Sequence, residues 1–465
     1  MSRTLFDKIW DAHVVRDEGL GFSLLHVDRH LVVDLNGNAF AELQRRSLKV
    51  RNPELTFATP DHAVSSSPVT AGRNDDGNRF LCALREGTAA HGIRMFDLGQ
   101  PGHGIVHVTG PEMGLILPGM TVTVGDSHTT TNGALGALAW GVGQGELVHI
   151  LATQTTRLRK PEQLRITLSG SPGRGTTAKD IILALIGHFG ARTATGQAVE
   201  LAGPAMRALE IEERFTVCNM LAELGARFGL VAPDDKVFAY LEGRPFAPKG
   251  ALWDQAMAHW RGLVSDEDAQ FERELRFDVE GLAPHLTWGN SVDAVVPIDG
   301  DVPAPDAAPS PSGVAEMRQW LDYMDLSPGE PLLGKPIDRV FIGSCTNSRL
   351  SDLRGAAELL RGRKIADHVL AWAVPGSQQV KAEAEAEGLD RIFREAGFDW
   401  RTPACSMCVG TNGEIAKPGQ RVVSTSNRNF AGRQGPGVRT HLASPLVAAA
   451  SAIAGRIADP REYLR

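Results

Sequence analysis

Three short apolar runs in the last third of the chain, each closing on a turn of small residues, constrain its fold more than any other feature. "RVFIGS" (339–344) ends in Gly-Ser, "HVLAWAVPGS" (368–377) ends in Pro-Gly-Ser, and "QRVVSTS" (420–426) is a third β-branched run. Between the second and third, "QQVKAEAEAEGLDRIFREAGF" reads as one helix with Gly397 near its end. Strands of this kind separated by helices predict an α/β domain with a largely parallel sheet. In such sheets ligands gather at the carboxyl ends of the strands, which is where these small-residue turns fall.

One sheet does not account for the whole chain. At 465 residues it exceeds the size at which a single hydrophobic core stops growing, so two or three domains are expected. "DGDVPAPDAAPSPSG" (299–313) is rich in Pro, Ala and Asp and reads as a linker. With a further boundary placed near residue 160, the expected α/β domains are 1–160, 161–298 and 314–465. The formal charge of −7, without any basic block, argues against a dedicated nucleic-acid binder. The N-terminus has no continuous apolar segment of the secretory type. "PLVAAASAIAG" is too short and too rich in alanine to span a bilayer. A cytoplasmic location is therefore expected, where cysteines stay reduced and no disulfide framework forms.

Five cysteines are present, and three stand out. Cys405 and Cys408 form a CxxC in "TPACSMCVG", and Cys345 follows the first of the three strands in "FIGSCTNSR". A redox dithiol has no need of a remote third thiol. A structural zinc site wants four ligands, and no second CxxC or histidine pair stands near. Three thiolates suit a 4Fe–4S cluster with one iron left to bind substrate. On spacing alone, unrelated buried cysteines account for the pattern equally well. Cys82 and Cys218 carry no such pattern.

Histidines and carboxylates recur in pairs. "PDHAV" holds Asp61 and His62, and "GDSHT" holds Asp126, Ser127 and His128. A carboxylate fixes an imidazole's tautomer and raises its basicity, although one such pair is more often a loop feature. "VCNMLAELGA" places Asn219 and Glu223 four apart, on one face if helical; a solvated face is the plainer account. "SNRNFAGR" carries Asn427, Arg428 and Arg433. Arginine grips carboxylates with a planar fork, yet surface arginine pairs are common.

Taken in order, "GDSHT", "IGSCTNSR", "CSMC" and "STSNRNFAGRQG" resemble the aconitase superfamily, and within it the large subunits of bacterial isopropylmalate isomerases. The likeness runs from "DAHVV" to "SPLVAAA", essentially the whole chain. It implies three α/β domains of aconitase type around a central cleft. It also implies a 4Fe–4S cluster on Cys345, Cys405 and Cys408, with one iron not ligated by protein. The activity implied is that of a hydro-lyase interconverting 2- and 3-isopropylmalate by dehydration and rehydration, a step of leucine biosynthesis. By the same resemblance Asp61 and His62 protonate the departing hydroxyl, with Asp126 and His128 beside them and His107 of "GIVHV" as a further active-site histidine. Glu223 touches the hydroxyl or pairs with His107. Ser127, Asn219, Arg428 and Arg433 meet substrate, and Asn347 and Asn427 surround the cluster. The fourth, mobile domain of single-chain aconitases finds no room after "SPLVAAA", so a base and a lid are expected from a separate small subunit. Related dehydratases of other 2-alkylmalates, of the methylmalate, dimethylmalate or homoaconitate type, are alternatives. A cluster-free RNA-binding regulator is disfavoured by the charge.

The chain also departs from the isomerase pattern. Val124 stands where Cys usually precedes "GDSHT", and Asn132 replaces a His. "TATGQ" (193–197) replaces "GGTGH", and Ala431 replaces a Glu. None of these changes removes an expected ligand or catalytic group.

Overall fold

Parallel pairing dominates the computed structural model, which describes residues 2–464 apart from 71, 73, 76 and 309. The chain forms two compact units. The first comprises Met1–Val64, Arg73–Ser169 and Arg192–Asp278. The second comprises Ser65–Gly72, Gly170–Ala191 and Val279–Arg465.

The first unit contains a five-stranded sheet of β1 (Arg29–Val32), β2 (Thr56–Ala58), β3 (Arg94–Met95), β4 (Thr121–Val124) and β5 (Leu138–Gly141). Its order is β3-β2-β1-β4-β5, with every pair parallel. A second parallel sheet joins β6 (Gln163–Ser169), β7 (Ala198–Ala202), β8 (Phe228–Val231) and β9 (Arg273–Asp278) in the order β8-β7-β6-β9. β4, with the sequence TVTV, and β8 are buried along their whole length, as strands covered on both faces must be. Trp140 of β5 meets Phe228 of β8 edge-on at 5.4 Å, an aromatic pair adding ~0.5–1.5 kcal/mol to its burial. Near it, a side chain at Gly133 would sit 1.6 Å from the Gly229 carbonyl oxygen. Only glycine lets the tight turns at Ser127–Leu135 lie this close to β8.

The second unit is built on β10 (Arg339–Ile342), β11 (Leu370–Ala373), β12 (Asp399–Trp400), β13 (Arg421–Ser424) and β14 (Arg439–Leu442). These are parallel in the order β12-β11-β10-β13-β14. The three runs expected as strands are β10, β11 and β13. The helix Leu350–Leu360 buries Leu353, Ala356, Ala357 and Leu360, a three- and four-residue spacing that makes one apolar stripe. It packs on Pro445–Ala454, whose buried alanines permit close approach. That second helix starts on a Ser444 cap with Pro445 behind it and stops at Gly455, φ +70°. The cap is worth ~1 kcal/mol.

The stretch expected as a single helix after β11 is two, Gln378–Ala386 and Leu389–Ala396. Gly388, at φ +75°, breaks it in the left-handed region. The Pro- and Ala-rich stretch 299–313 carries a tight turn at Pro305–Ala307 and the start of helix Pro311–Met324. Among the described residues no helix is long and apolar enough to cross a membrane.

Candidate functional site

In the first unit, the loops leaving β1, β2 and β4 converge on a set of carboxylates and imidazoles. Asp61 lies three residues past β2 and is fully buried. Its Oδ1 accepts from His62 Nδ1 at 2.5 Å, and its Oδ2 accepts from the Val106 backbone N–H at 2.9 Å. On its other side His62 Nε2 donates to Asp126 Oδ2 at 3.1 Å. Asp126 Oδ1 also accepts from His107 Nε2 at 3.0 Å and from the His128 backbone N–H at 2.7 Å. Asp126 is thus the hub of three histidines.

The outer partners continue this network. His128 Nε2 donates to Glu223 Oε1 at 2.9 Å, and Ser127 Oγ lies 3.4 Å from His128 Nδ1. Asn219 and Glu223, expected on one helix face, separate at its end. Asn219 belongs to helix Ile211–Met220 and donates to Thr131 Oγ1 at 2.8 Å, while Glu223 sits on the tighter turn Leu221–Leu224. Asp34, which no sequence motif singled out, follows β1 and is fully buried. It accepts from the backbone N–H groups of His62 (3.2 Å) and Ala63 (2.6 Å) and so fixes the turn that aims His62.

For Asp126 and His62 burial opposes charge, but the partners decide the outcome. For Asp126, burial alone raises the pKa, yet the bonds from His107, His128 and His62 hold it well below the usual carboxylate range. For His62, burial alone lowers the pKa, yet the Asp61 carboxylate and the bonds to Asp126 and Asp61 carry it well above the ordinary imidazole value. Asp34 moves up, through burial and the neighbouring Asp61 charge. His62 is thus clamped between the Asp61 and Asp126 carboxylates, which favour its protonated form against burial.

The second unit gathers sulfur. Cys345 lies three residues past β10, Cys405 precedes the turn Ser406–Cys408 and Cys408 ends it; all three are buried and none forms a disulfide. Asn427, three residues past β13, spans the two loops. Its Nδ2 donates to Cys345 Sγ at 3.4 Å and to Thr346 Oγ1 at 3.1 Å, and its Oδ1 accepts from the Cys408 thiol at 3.6 Å. Asn347 Nδ2 donates to Asp352 Oδ1 at 2.9 Å. Arg428 and Arg433 are partly buried on the loop beyond Asn427, with Arg433 5.6 Å from the Phe430 ring centroid.

A fully buried lysine, also without a sequence signal, stands behind this loop. Lys179 Nζ donates to the carbonyls of Thr425 (2.8 Å) and Ser426 (2.6 Å) and to Asn347 Oδ1 (3.3 Å). Burial lowers its pKa to about 7, against the opposing pull of Cys408, Asp352 and Cys345.

Of the departures from the isomerase pattern, Val124 ends β4 in the packed interior, and Asn132 Nδ2 donates to the Thr129 carbonyl at 3.1 Å. Ala431 is exposed. None of these three is among the groups that hold either cluster of polar side chains together.

Two parallel sheets with chemistry at their carboxyl ends, one edge rich in imidazole and carboxylate and the other in thiols, define an α/β enzyme. The sequence model of the aconitase family (aconitate hydratase) matches residues 7–455, and the chain belongs to that family. Membership implies a 4Fe–4S cluster. The chain is 57% identical to the 3-isopropylmalate dehydratase large subunit 1 of Bradyrhizobium diazoefficiens over 464 residues, covering 100% of this chain and 97% of that protein. It is 52% identical to the 3-isopropylmalate dehydratase large subunit of Roseiflexus castenholzii over 475 residues, covering 100% of both. Among solved structures, the holo-form of aconitase X from Thermococcus kodakaraensis matches at 14% identity with a TM-score of 0.48, over 90% of this chain and 86% of that one.

Proposed function

We propose that this chain is the large subunit of a 3-isopropylmalate dehydratase, a hydro-lyase that interconverts 2- and 3-isopropylmalate in leucine biosynthesis. The observation that carries the proposal is the thiol nest in which Asn427 touches both Cys345 and Cys408. Three buried thiols, none in a disulfide and two of them served by one amide, fit a soft-metal cluster, and Cys345, Cys405 and Cys408 would hold it. When bound, the cluster supplies a Lewis acid for a substrate hydroxyl and carboxylate through an iron that no protein group ligates. The neighbouring Asn427 amide donates to sulfur, as groups around such clusters do.

The chain's other residues then have distinct tasks. His62, held as an imidazolium by Asp61 and Asp126, carries the proton that a departing hydroxyl needs. Asp126 keeps His107 and His128 oriented, and Glu223 fixes the far nitrogen of His128. Arg428 and Arg433 offer forks for carboxylate. Ser127 and Asn219 complete the polar lining. The base that removes the carbon-bound proton comes from a small subunit, which also shapes the space for the alkyl group.

Anaerobically reconstituted chain should be inactive alone. It should gain isomerase activity when the small subunit is added, saturating near equal molar amounts, and prefer 2-isopropylmalate to methylmalate, dimethylmalate and homoaconitate substrates. Substantial activity of the isolated chain would remove the two-subunit proposal, and preference for another alkylmalate would reassign the substrate.

A further inference from the structure

The turn that carries two of the three thiols is conformationally unusual. Ser406, between Cys405 and Cys408, has φ +51°, a left-handed conformation that residues other than glycine, asparagine and aspartate seldom adopt. Such a conformation persists only where its surroundings over-determine it. The determinants here are specific. Ser406 Oγ donates to Glu414 Oε2 at 2.6 Å and lies 2.8 Å from Ser66 Oγ. Ser66 in turn gives Glu414 its hydroxyl at 2.6 Å and its backbone N–H at 2.9 Å, and Ser65 adds a hydroxyl at 2.8 Å. Arg401 closes the ring, donating from Nε to Ser66 Oγ at 2.8 Å and from Nη2 to Glu414 Oε1 at 3.0 Å. Its guanidinium lies over the Trp372 ring, 3.8 Å from the centroid.

This network lies within the second unit, and its members come from three separate stretches of chain: 65–66, 401–406 and 414. Ser66 and Ser406 are fully buried, and the Glu414 side chain is 10% exposed. A carboxylate that collects three hydroxyls, a backbone N–H, the Asn412 amide (3.1 Å) and an arginine is far more than a loop closure needs. The carboxylate and the Ser66 hydroxyl converge on the one strained residue lying between the two cysteines.

We infer that Glu414, working through Ser66, Ser406 and Arg401, is a positioning residue that latches the CxxC turn in its thiol-presenting conformation, so that Cys405 and Cys408 are pre-set for metal before it arrives. The inference rests on the cluster assignment under Proposed function only for what the turn is pre-set to hold. Cys345, on the loop after β10, lies outside the latch and serves as an internal control.

The test uses the full chain, with iron removed, as wild type, Glu414→Gln and Ser66→Ala. Each is labelled with iodoacetamide, and each cysteine's rate is read by mass spectrometry alongside the thermal midpoint. Loss of a charge-assisted bond at a buried turn should speed labelling of Cys405 and Cys408 by about tenfold, with Cys345 unchanged and the midpoint near wild type. Reconstituted Glu414→Gln should also lose iron faster than wild type. Equal acceleration at all three cysteines, or none, would overturn the latch, because it would report general loosening or no role. Ser66→Ala, which removes the Ser66 hydroxyl bond to Glu414 and keeps the charge, covers the case in which Glu414→Gln does not fold. Failure of both variants to fold would make the network a plain structural core and also overturn the inference. If wild type takes up no iron yet the labelling pattern appears, the latch stands and the cluster assignment fails.

Discussion

The two five-stranded sheets, one in each unit, repeat a single strand order: the strand earliest in sequence lies in the middle, the next two lie to one side and the last two to the other. In each sheet some of these polar groups sit on loops leaving the central pair, β1 and β4 in one, β10 and β13 in the other, and others follow an outer strand, Asp61 and His62 after β2 and the two cysteines of the CxxC after β12. Asp34 and Asp126 occupy those loops in the first sheet, Cys345 and Asn427 in the second. What differs is the chemistry. The first edge pairs carboxylates with imidazoles, whereas the second gathers thiols and amides and has the buried Lys179 at its back. Shared topology selects the place where chemistry can occur, because the strand order reverses there and opens a crevice. The side chains alone select which chemistry it is.

Breaking the thiol edge should have the largest effect. Cys405→Ser is expected to abolish cluster colour and bound iron, while Cys82→Ser, half-buried on a helix in the first unit, keeps both. Full iron in Cys405→Ser would end the contrast between the two edges. Next comes the imidazole edge. His62→Asn should lower turnover of the assembled enzyme by ~10²–10⁴-fold with iron content unchanged; loss of iron along with activity would show that the two edges are not chemically separate. Arg433→Lys keeps a positive charge but loses the fork, so kcat/KM should fall about tenfold at normal iron content, and unchanged kinetics would exclude Arg433 from substrate binding.

The smallest effect concerns stability against pH in the iron-free chain, where two titrations act in opposite senses. Asp126, held low, stabilises fully above its ordinary 3.8, and that contribution is lost as the pH falls through its depressed folded value. His62, held high, stabilises fully below its ordinary 6.5, and that contribution drains away as the pH rises through its elevated folded value. Both are in force between those limits. His62→Gln should therefore flatten the alkaline fall of the thermal midpoint and retain an acid fall. A profile superimposable on wild type would sharpen the comparison against the ion-pair account of this edge.

Legibility in the sequence followed locality. β10, β11 and β13 could be read because each is a contiguous apolar run with its own turn, and the cysteine and histidine words because their signal lies within a few residues. Lys179 could not be. It occupies an ordinary helical stretch, "TTAKDIILALIG", and its acceptors include a carbonyl 246 positions away, so nothing nearby distinguishes it from a solvated lysine. Glu414 is equally silent in "TNGEIAKPG", since its partners on 65–66 are remote. Asp34 was within reach: a strand ending "HLVVD" delivers an acid to the carboxyl edge that the fold makes important. The single helix expected after β11 failed for a local reason, the weight given to alanine and glutamate over Gly388.

The uniform parallel pairing of the second unit's sheet bears on how the thiol nest comes into being. Parallel neighbours cannot be closed by a tight hairpin; each requires a crossover of many residues, so this sheet is dominated by contacts distant in sequence. Such topologies close late and slowly, because chain entropy is lost before the distant contacts repay it. Cys345, the CxxC turn and Asn427 leave different segments of that sheet, and Lys179 comes from a segment synthesised well before all of them. During synthesis Cys345 therefore spends the time needed to make the following residues as an isolated thiol in an unfinished domain. The nest becomes complete only when β13 has paired and brought Asn427 into place. Under the proposed function, a cluster held by these thiols would be loaded only after the sheet has closed.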